Sequence, residues 1–309
     1  MIQQLLRVNS LAEIIDPQPT YLALGSFDGV HLGHETVIRD MVDEARADGM
    51  RSAVLTFFPH PKRVISGEHG RFYINTLEDR VRLLADVGPD LVITHNFDAQ
   101  VRNIRAAYFV DQLVTYVGMR QIWGGNFSFG YRREGNIDFL RLEGVKRGFE
   151  VRAVDALVMF DGALISSSRV RRSLDAGDFH DVNGCLARRH SLSGVVVRGD
   201  QRGRTIGFPT ANLEVWEELL LPANGVYAAY AWVGDRRFAA AANVGVRPTV
   251  NGRDRTVEAY LLDFDEDIYG QTVRLEFDRR IRPEQRFSGL EALRAQIQQD
   301  VDHVRESLL

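Results

Sequence analysis

Two histidines three residues apart suggest the first chemistry in this chain. In "GSFDGVHLGHETVI" an apolar run ends at a glycine turn and an amphipathic stretch begins, with His31 and His34 at its start. If that stretch is a helix, residues three apart share a face. A helix that follows a strand presents unpaired N–H groups and a dipole that attract an anion. Imidazoles there can donate hydrogen bonds to charge developing on a phosphoryl group. Gly33, between them, removes a side chain that would keep a phosphate from the backbone. The plainer alternative is a polar turn with two exposed histidines. Zinc fits less well, because no third ligand stands at metal spacing.

Three other stretches carry similar promise. In "ISSSRVRRSL", Ser167 and Ser168 offer hydroxyls and N–H groups at the start of a basic helix, with Arg171 one turn on, a set suited to a polyphosphate or simply to an N-capped surface helix. In "RGDQRGRTIGFPTANLE", Gly199, Gly203 and Gly207 allow close approach to a ligand, as in anion-binding nests. Thr210 and Asn212 lie two residues apart, hence on one face of an extended segment, and their hard oxygens suit Mg²⁺ shared with substrate phosphates. Glu258, in "TVEAYLLDF", has apolar neighbours and is either a general base or a solvated strand residue.

The elements that must position these residues change character midway. Up to about residue 155, the runs "TYLALGSF", "RSAVLTFF", "PDLVITH", "RQIWGG" and "FEVRAVDAL" read as strands. Between them, "GHETVIRDMVDEARADG", "TLEDRVRLLADVG" and "IRAAYFVDQLVTYVG" read as helices, each with a glycine where it should stop. Such alternation predicts a parallel sheet with helices on both faces and ligands at the strands' carboxyl ends. "RRSLDAGDFHDVNGCLARRHS" then reads as a helical connection. After about residue 186, "LSGVVVRG", "GVYAAYAWVG", "RRFAAAANVG", "TVEAYLLDF" and "QTVRLEFDRRI" read as strands joined by turns, an antiparallel sandwich or barrel. A closing helix is expected, with Ser288 and Glu291 as a capping box and an apolar stripe from Leu290 to Leu308. Two domains result, 1–186 and 187–309.

The bulk composition agrees. The 309 residues are 45% hydrophobic and 26% charged with net charge −4, which suits two soluble domains and argues against a dedicated nucleic-acid binder. Cys185 stands alone, so no intrachain disulfide forms. No run is long enough for a membrane span, and the amino terminus has no signal-peptide pattern, so a cytoplasmic protein is expected.

Taken together the motifs resemble a known family. His-x-Gly-His with a later Ser-Ser-Ser-x-φ-Arg resembles the nucleotidylyltransferases; class I aminoacyl-tRNA synthetases share the first signature, but their lysine-rich loop is absent. "GRTIGFPTANL", "LPANGVYA", "NVGVRPT", "EAYLLDFDEDIYG" and "RPEQRFSGLEALRAQIQQDV" resemble the riboflavin kinase domain. With "GSFDGVHLGH", "FFPHP", "GGNFSFG" and "ISSSRVR", nearly the whole chain is similar to the bifunctional bacterial riboflavin kinase/FAD synthetases.

The resemblance implies an α/β Rossmann-like adenylyltransferase domain followed by an antiparallel six-stranded β-barrel kinase domain with a carboxy-terminal helix. It implies that Thr210 and Asn212 hold Mg²⁺ and the phosphates of ATP, with Glu258 as catalytic base, in converting riboflavin to FMN and ADP. It implies that His31, His34, Ser168 and Arg171 act on phosphates as FMN and ATP become FAD and pyrophosphate. Gly25, Phe27, Asp28, Gly33, Ser167 and Asn126 fall in the matching nucleotide-binding motifs. Neither nucleic acid nor membrane is an expected partner. Departures occur at Ile104-Arg105, where relatives often place Ser or Thr before a helix, at Ala187–Ser191, where Gly-Arg-Pro-aromatic-Ser is usual, and at Ser168, where threonine is frequent. A kinase with a degenerate first domain and a non-catalytic flavin sensor are the rival readings.

Overall fold

The computed structural model describes residues 6–125, 127–154, 158–199, 202–249 and 252–309. They form two compact units, Met1–His69 with Thr76–Ile165, and Gly70–Asn75 with Ser166–Leu309.

The first unit is built on six strands: β1 (Leu6–Val8), β2 (Thr20–Gly25), β3 (Arg51–Phe58), β4 (Leu91–Asn96), β5 (Met119–Gly124) and β6 (Glu150–Ala153). They make one parallel sheet in the order β1-β4-β3-β2-β5-β6. Its helices are α1 (Leu32–Ala47), α2 (Pro61–Ser66), α3 (Leu77–Val87), α4 (Ala99–Arg102), α5 (Ala106–Gln112) and α6 (Ile137–Arg147). Strand alternation sends side chains to both sides of the sheet. Tyr21, Ala23, Val54 and Val92 pack with Ile38 and Met41 of α1 and Leu84 of α3. Leu22, Leu55, Leu91 and Ile93 pack instead with Phe109 and Val110 of α5 and Leu140 of α6. Helices therefore cover both faces, as the alternating pattern predicts. A short antiparallel ribbon, β7 (Met159–Phe160) with β8 (Ala163–Leu164), ends the unit in sequence.

The strand order places a switch point beside β2. From β2 the chain steps outward to β3 and β4, then returns to β5 on the other side of β2. In open parallel sheets a crevice opens where the winding reverses, at the strands' carboxyl ends. Here those ends are the turn after Gly25 and the Gly124-Gly125 pair.

The second unit opens with α7 (Ser167–Ala176) and α8 (Phe179–Leu186), the expected helical connection. Six strands follow: β9 (His190–Val197), β10 (Ala211–Glu214), β11 (Gly225–Val233), β12 (Arg236–Thr249), β13 (Gly252–Leu261) and β14 (Thr272–Pro283). They close into an antiparallel barrel ordered β10-β13-β12-β11-β14-β9. Between β9 and β10 lies the one-turn helix α9 (Arg202–Thr205). The final helix, α10 (Leu290–Leu308), lays Val301, Val304, Ile297 and Leu308 on Ala228, Ala239, Tyr260 and Phe208 outside the barrel.

Its cap differs from expectation. Gly289 occupies the N-cap position in an extended conformation (φ 177°, ψ 178°), with no side-chain capping bond. The helix thus starts one residue too late for Ser288 and Glu291 to occupy the two positions of a capping box.

Segment Gly70–Asn75 is a separate strip of the second unit. The backbone nitrogens of Phe72 and Tyr73 donate to the Glu218 carbonyl at 2.8 and 3.1 Å, and Leu220 N returns a bond to Tyr73 O at 2.8 Å. The Tyr73 ring packs on Trp216 with centroids 4.9 Å apart.

Candidate active sites

In the first unit, the turn from β2 to α1 holds His31 and His34 in a strained backbone. Phe27, Gly29 and Val30 all have positive φ, at 46°, 85° and 40°. For a β-branched valine this conformation is an outlier, and such strain persists only where surroundings enforce it. The enforcing contacts are buried. Arg80 of α3 donates to Asp28 Oδ1 and to the Ser26 carbonyl, both at 3.0 Å, and to Phe57 O at 3.2 Å. Neither Arg80 nor Asp28 has more than 1% of its side chain exposed. Thr56 Oγ1 adds a bond to Ser26 O at 2.9 Å. The turn is thereby tied to the end of β3.

His31 is the N-cap of α1, and its Nδ1 accepts from the His34 backbone nitrogen at 3.3 Å. With Nδ1 an acceptor, the ring proton of a neutral His31 sits on Nε2. The two imidazoles are stacked, centroids 3.6 Å apart and planes 16° off parallel. Phe27 meets His34 edge-on at 5.2 Å. A Cβ on Gly33 would lie 3.3 Å from His31 Nδ1, so this glycine makes room for the imidazole. A Cβ on Gly25 would lie 3.0 Å from the Phe27 ring, which folds back over the strand end. The structure thus gathers Gly25, Phe27, Asp28, His31, Gly33 and His34 at the β2 switch point. Asn126 lies outside the described residues.

The second serine-arginine motif belongs to the other unit. Ser166 caps α7, its Oγ accepting from Arg169 N at 3.2 Å, so Ser167 and Ser168 are the first helical residues and Ser168 is exposed. Arg169 is bound to Asp181, whose carboxyl Arg169 and Ser173 hold low against the opposing effect of burial. Arg171 donates through Nε to Phe72 O at 3.0 Å and lies 4.1 Å above the Phe72 ring.

The residues singled out in the second half line up on the barrel. Glu258 of β13 stands directly across from Asn212 of β10 on one side and Asn243 of β12 on the other. Residues paired in this way project to the same face. The next row, Leu213, Val257 and Val244, is buried, so Glu258 and its two amide neighbours face away from that packed row. Thr210 Oγ1 donates to Glu258 Oε2 at 3.4 Å. Hydroxyl, amide and carboxylate oxygens close together suit a hard divalent cation such as Mg²⁺. No group of three or more His, Cys, Asp or Glu side chains is arranged for a metal among the described residues.

The glycines of the preceding loop have local reasons. A Cβ on Gly199 would overlap the Asn212 side-chain amide, and one on Gly203 would overlap the Phe208 carbonyl. Gly207 sits at φ 92°. Gly203 O closes the loop by accepting from Phe208 N at 2.9 Å, and Phe208 is anchored under α10.

Two sequence departures have physical answers. Arg105 caps α5 without a side-chain bond of its own. Instead Glu134 Oε1 accepts from Ala106 N at 2.7 Å, and its two oxygens take Arg105 Nε at 2.8 and 2.9 Å. Bonds from Arg105 and the Ala106 backbone hold the Glu134 carboxyl below its ordinary range. At the second departure, His190 begins β9 and packs against Phe179 and Phe277, filling an aromatic's place. Burial pushes its imidazole down to about 3.

Comparison with known proteins gives a family for each half of the chain. A FAD synthetase family model matches residues 13–169 and a riboflavin kinase model matches residues 186–308. The bifunctional riboflavin kinase/FMN adenylyltransferase of Listeria monocytogenes is 36% identical over 287 residues, 92% of this chain and 91% of that one. The Escherichia coli K12 protein of the same name is 34% identical over 288 residues, again 92% and 91%. A crystal structure described as a macrolide-efflux protein from Streptococcus pneumoniae is 29% identical with TM-score 0.87, covering 99% of both chains. In the present chain, among the described residues, no helix is long and apolar enough to cross a membrane. With both family models matched in order and relatives aligned along nine-tenths of its length, the chain belongs to the bifunctional riboflavin kinase/FMN adenylyltransferase family.

Proposed function

We infer that this chain carries both activities of its family: riboflavin and ATP give FMN and ADP, then FMN and ATP give FAD and pyrophosphate. The observation that most supports the kinase assignment is the row Asn212–Glu258–Asn243, with Thr210 3.4 Å from the Glu258 carboxylate.

In the kinase step, Glu258 accepts the proton of the ribityl 5′-hydroxyl as that oxygen attacks the γ-phosphorus of ATP. Thr210 and Asn212 present the oxygens that would hold Mg²⁺, which when bound neutralises phosphate charge. Asn243, the first residue of "NVGVRPT", flanks the base on its other side. The rest is positioning: Gly199 gives the Asn212 amide its place.

In the adenylyl step, a phosphate oxygen of FMN attacks the α-phosphorus of ATP and pyrophosphate leaves. His31 and His34 stabilise charge on the reacting phosphate, and Arg171 with Ser167 and Ser168 binds the polyphosphate. Asp28 keeps the turn in shape through Arg80.

The test is a product assay with riboflavin, excess ATP and Mg²⁺, the flavins separated over time. FMN followed by FAD is expected. FMN alone would reduce the assignment to a kinase with a degenerate first domain. Tight flavin binding without either product would replace it with a sensor.

A further inference from the structure

We propose that Glu284 is a specificity-determining residue of the kinase reaction, its carboxylate accepting a hydrogen bond from a ribityl hydroxyl of riboflavin. The inference rests on the role assigned to Glu258 above. It starts from a glycine in the middle of β12. Gly245 is not among the residues with positive φ, so its backbone does not require a glycine. Its surroundings do. A Cβ there would lie 3.2 Å from Glu284 Oε1 and 3.4 Å from Asn243 Nδ2, tighter than ordinary van der Waals contact. The missing side chain leaves a notch that these two polar atoms share.

The notch adjoins the proposed base. Asn243 and Gly245 are two apart in β12 and so share a face. On β13, Glu258 stands across from Asn243, and Thr256 across from Gly245. That face therefore carries carboxylate, amide and hydroxyl in consecutive rows. Glu284, just past β14, brings a second carboxylate onto it. Its Oε2 accepts from Asn224 Nδ2 at 3.0 Å. Asn224 is itself held through its carbonyl, which accepts from Arg280 Nη2. With one oxygen so anchored, Oε1 stays over the notch, where it makes no hydrogen bond among the described residues. Glu284 is exposed, which leaves that oxygen open to substrate. A polyol needs such a set, because every hydroxyl both donates and accepts. With the 5′-hydroxyl at Glu258, the other ribityl hydroxyls lead away from the base, and one that donates to a carboxylate makes a strong, charge-assisted bond. Two stretches that resemble the kinase family but had no task, "LPANGVYA" and "RPEQRF", supply Asn224 and Glu284.

The experiment measures kcat and KM for FMN formation in wild-type, E284A, E284Q, G245A and E258A proteins. FAD formation from supplied FMN, measured alongside, should be unchanged in all of them. E284A should raise the KM for riboflavin about tenfold or more, as expected for a lost hydrogen bond to a charged group, with the KM for ATP unchanged. E284Q should lose less, since its amide oxygen still accepts. G245A, whose methyl presses on both polar atoms, should raise the same KM. The 2′-, 3′- and 4′-deoxy analogues of riboflavin supply the second readout. Wild-type enzyme should bind one of them as weakly as E284A binds riboflavin, and for that analogue E284A should cost nothing further. A wild-type riboflavin KM in E284A, or the same fold-loss on every analogue, overturns the proposal while leaving Glu258 in place. Equal rises in KM for riboflavin and for ATP would assign Glu284 to bracing Asn224 alone and also overturn it. Wild-type FMN formation in E258A would strike the base assignment, and the proposal would fall with it.

Discussion

Arg80 and Asp28 form an ion pair at 3.0 Å that is sealed from solvent on both sides, directly beneath the turn bearing His31 and His34. Removing one member strands the other charge, at a cost of about 3–5 kcal/mol. D28A should therefore lower the unfolding free energy of the first unit by that order, measured in urea titrations followed by tryptophan fluorescence or circular dichroism. FAD synthesis should fail at temperatures where FMN formation continues. A change below 1 kcal/mol would show that the pair does not hold the turn.

Glu258 and His31 should separate the two reactions. E258A should slow FMN formation about 10²–10⁴-fold, the usual contribution of a general base, while FAD formation from added FMN continues. H31A should slow FAD formation about 10²–10³-fold and spare the kinase. Chromatography of flavins from each variant reads both rates, and parallel loss in either one would refute the division.

Gly199 is predicted to be a sensitive kinase position although it carries no functional group. The added methyl of G199A overlaps the Asn212 amide. Displacing that amide should raise the Mg²⁺ concentration needed for half-maximal FMN formation and lower kcat. FAD formation, measured alongside, should be unaffected. An unchanged metal requirement would remove Asn212 from the cation site.

His190 makes the barrel unit acid-sensitive. It is neutral in the folded chain, where burial holds it near 3, but accepts a proton in the unfolded chain below its ordinary value of 6.5. Stability is therefore full above about pH 6.5 and is lost as pH falls toward 3, amounting to about 2 kcal/mol by pH 5. H190F, which restores an aromatic ring, should flatten that limb. Urea midpoints at pH 7 and pH 5 decide it: equal pH dependence in both proteins would locate the sensitivity elsewhere.

Much of the fold was legible because its elements are long and regular. β2, β3, β4 and β5 are apolar runs bounded by glycine or proline, α1 and α3 stop by Gly49 and Gly88, and the helical run that α5 begins continues as a π-helical turn, Leu113–Val117, to Gly118, all three glycines with positive φ. β1 escaped notice because three residues cannot display an alternation. α6 was obscured because Leu142 and Val145 are exposed opposite buried Leu140, which blurs any stripe. β10 spans only four residues within the Pro-Thr-Ala-Asn motif, too few to stand out as a strand of its own, although the spacing of Thr210 and Asn212 already reads as extended.

The site divided in the same way. His31, His34, Thr210, Asn212 and Glu258 stand in short motifs, so type and spacing were enough to single them out. Arg80 acts from another element, and only tertiary contact brings it to the turn it serves. Glu134 shows the same limit. The missing cap residue before α5 was readable, but its replacement 28 positions later was not.

The strip Gly70–Asn75 also fixes an order of events on the ribosome. Arg71 bonds the carbonyl of Leu219, 148 residues further along the chain. At about 5–20 residues per second, the strip waits roughly 7–30 s for its partner to be synthesised. Until then Phe72 has no Glu218 to fix it. A nascent chain therefore completes the packing around Arg171 only as its second half emerges, and a fragment ending at residue 186 would carry Arg171 and Phe72 without the Glu218 and Leu219 carbonyls that hold the strip.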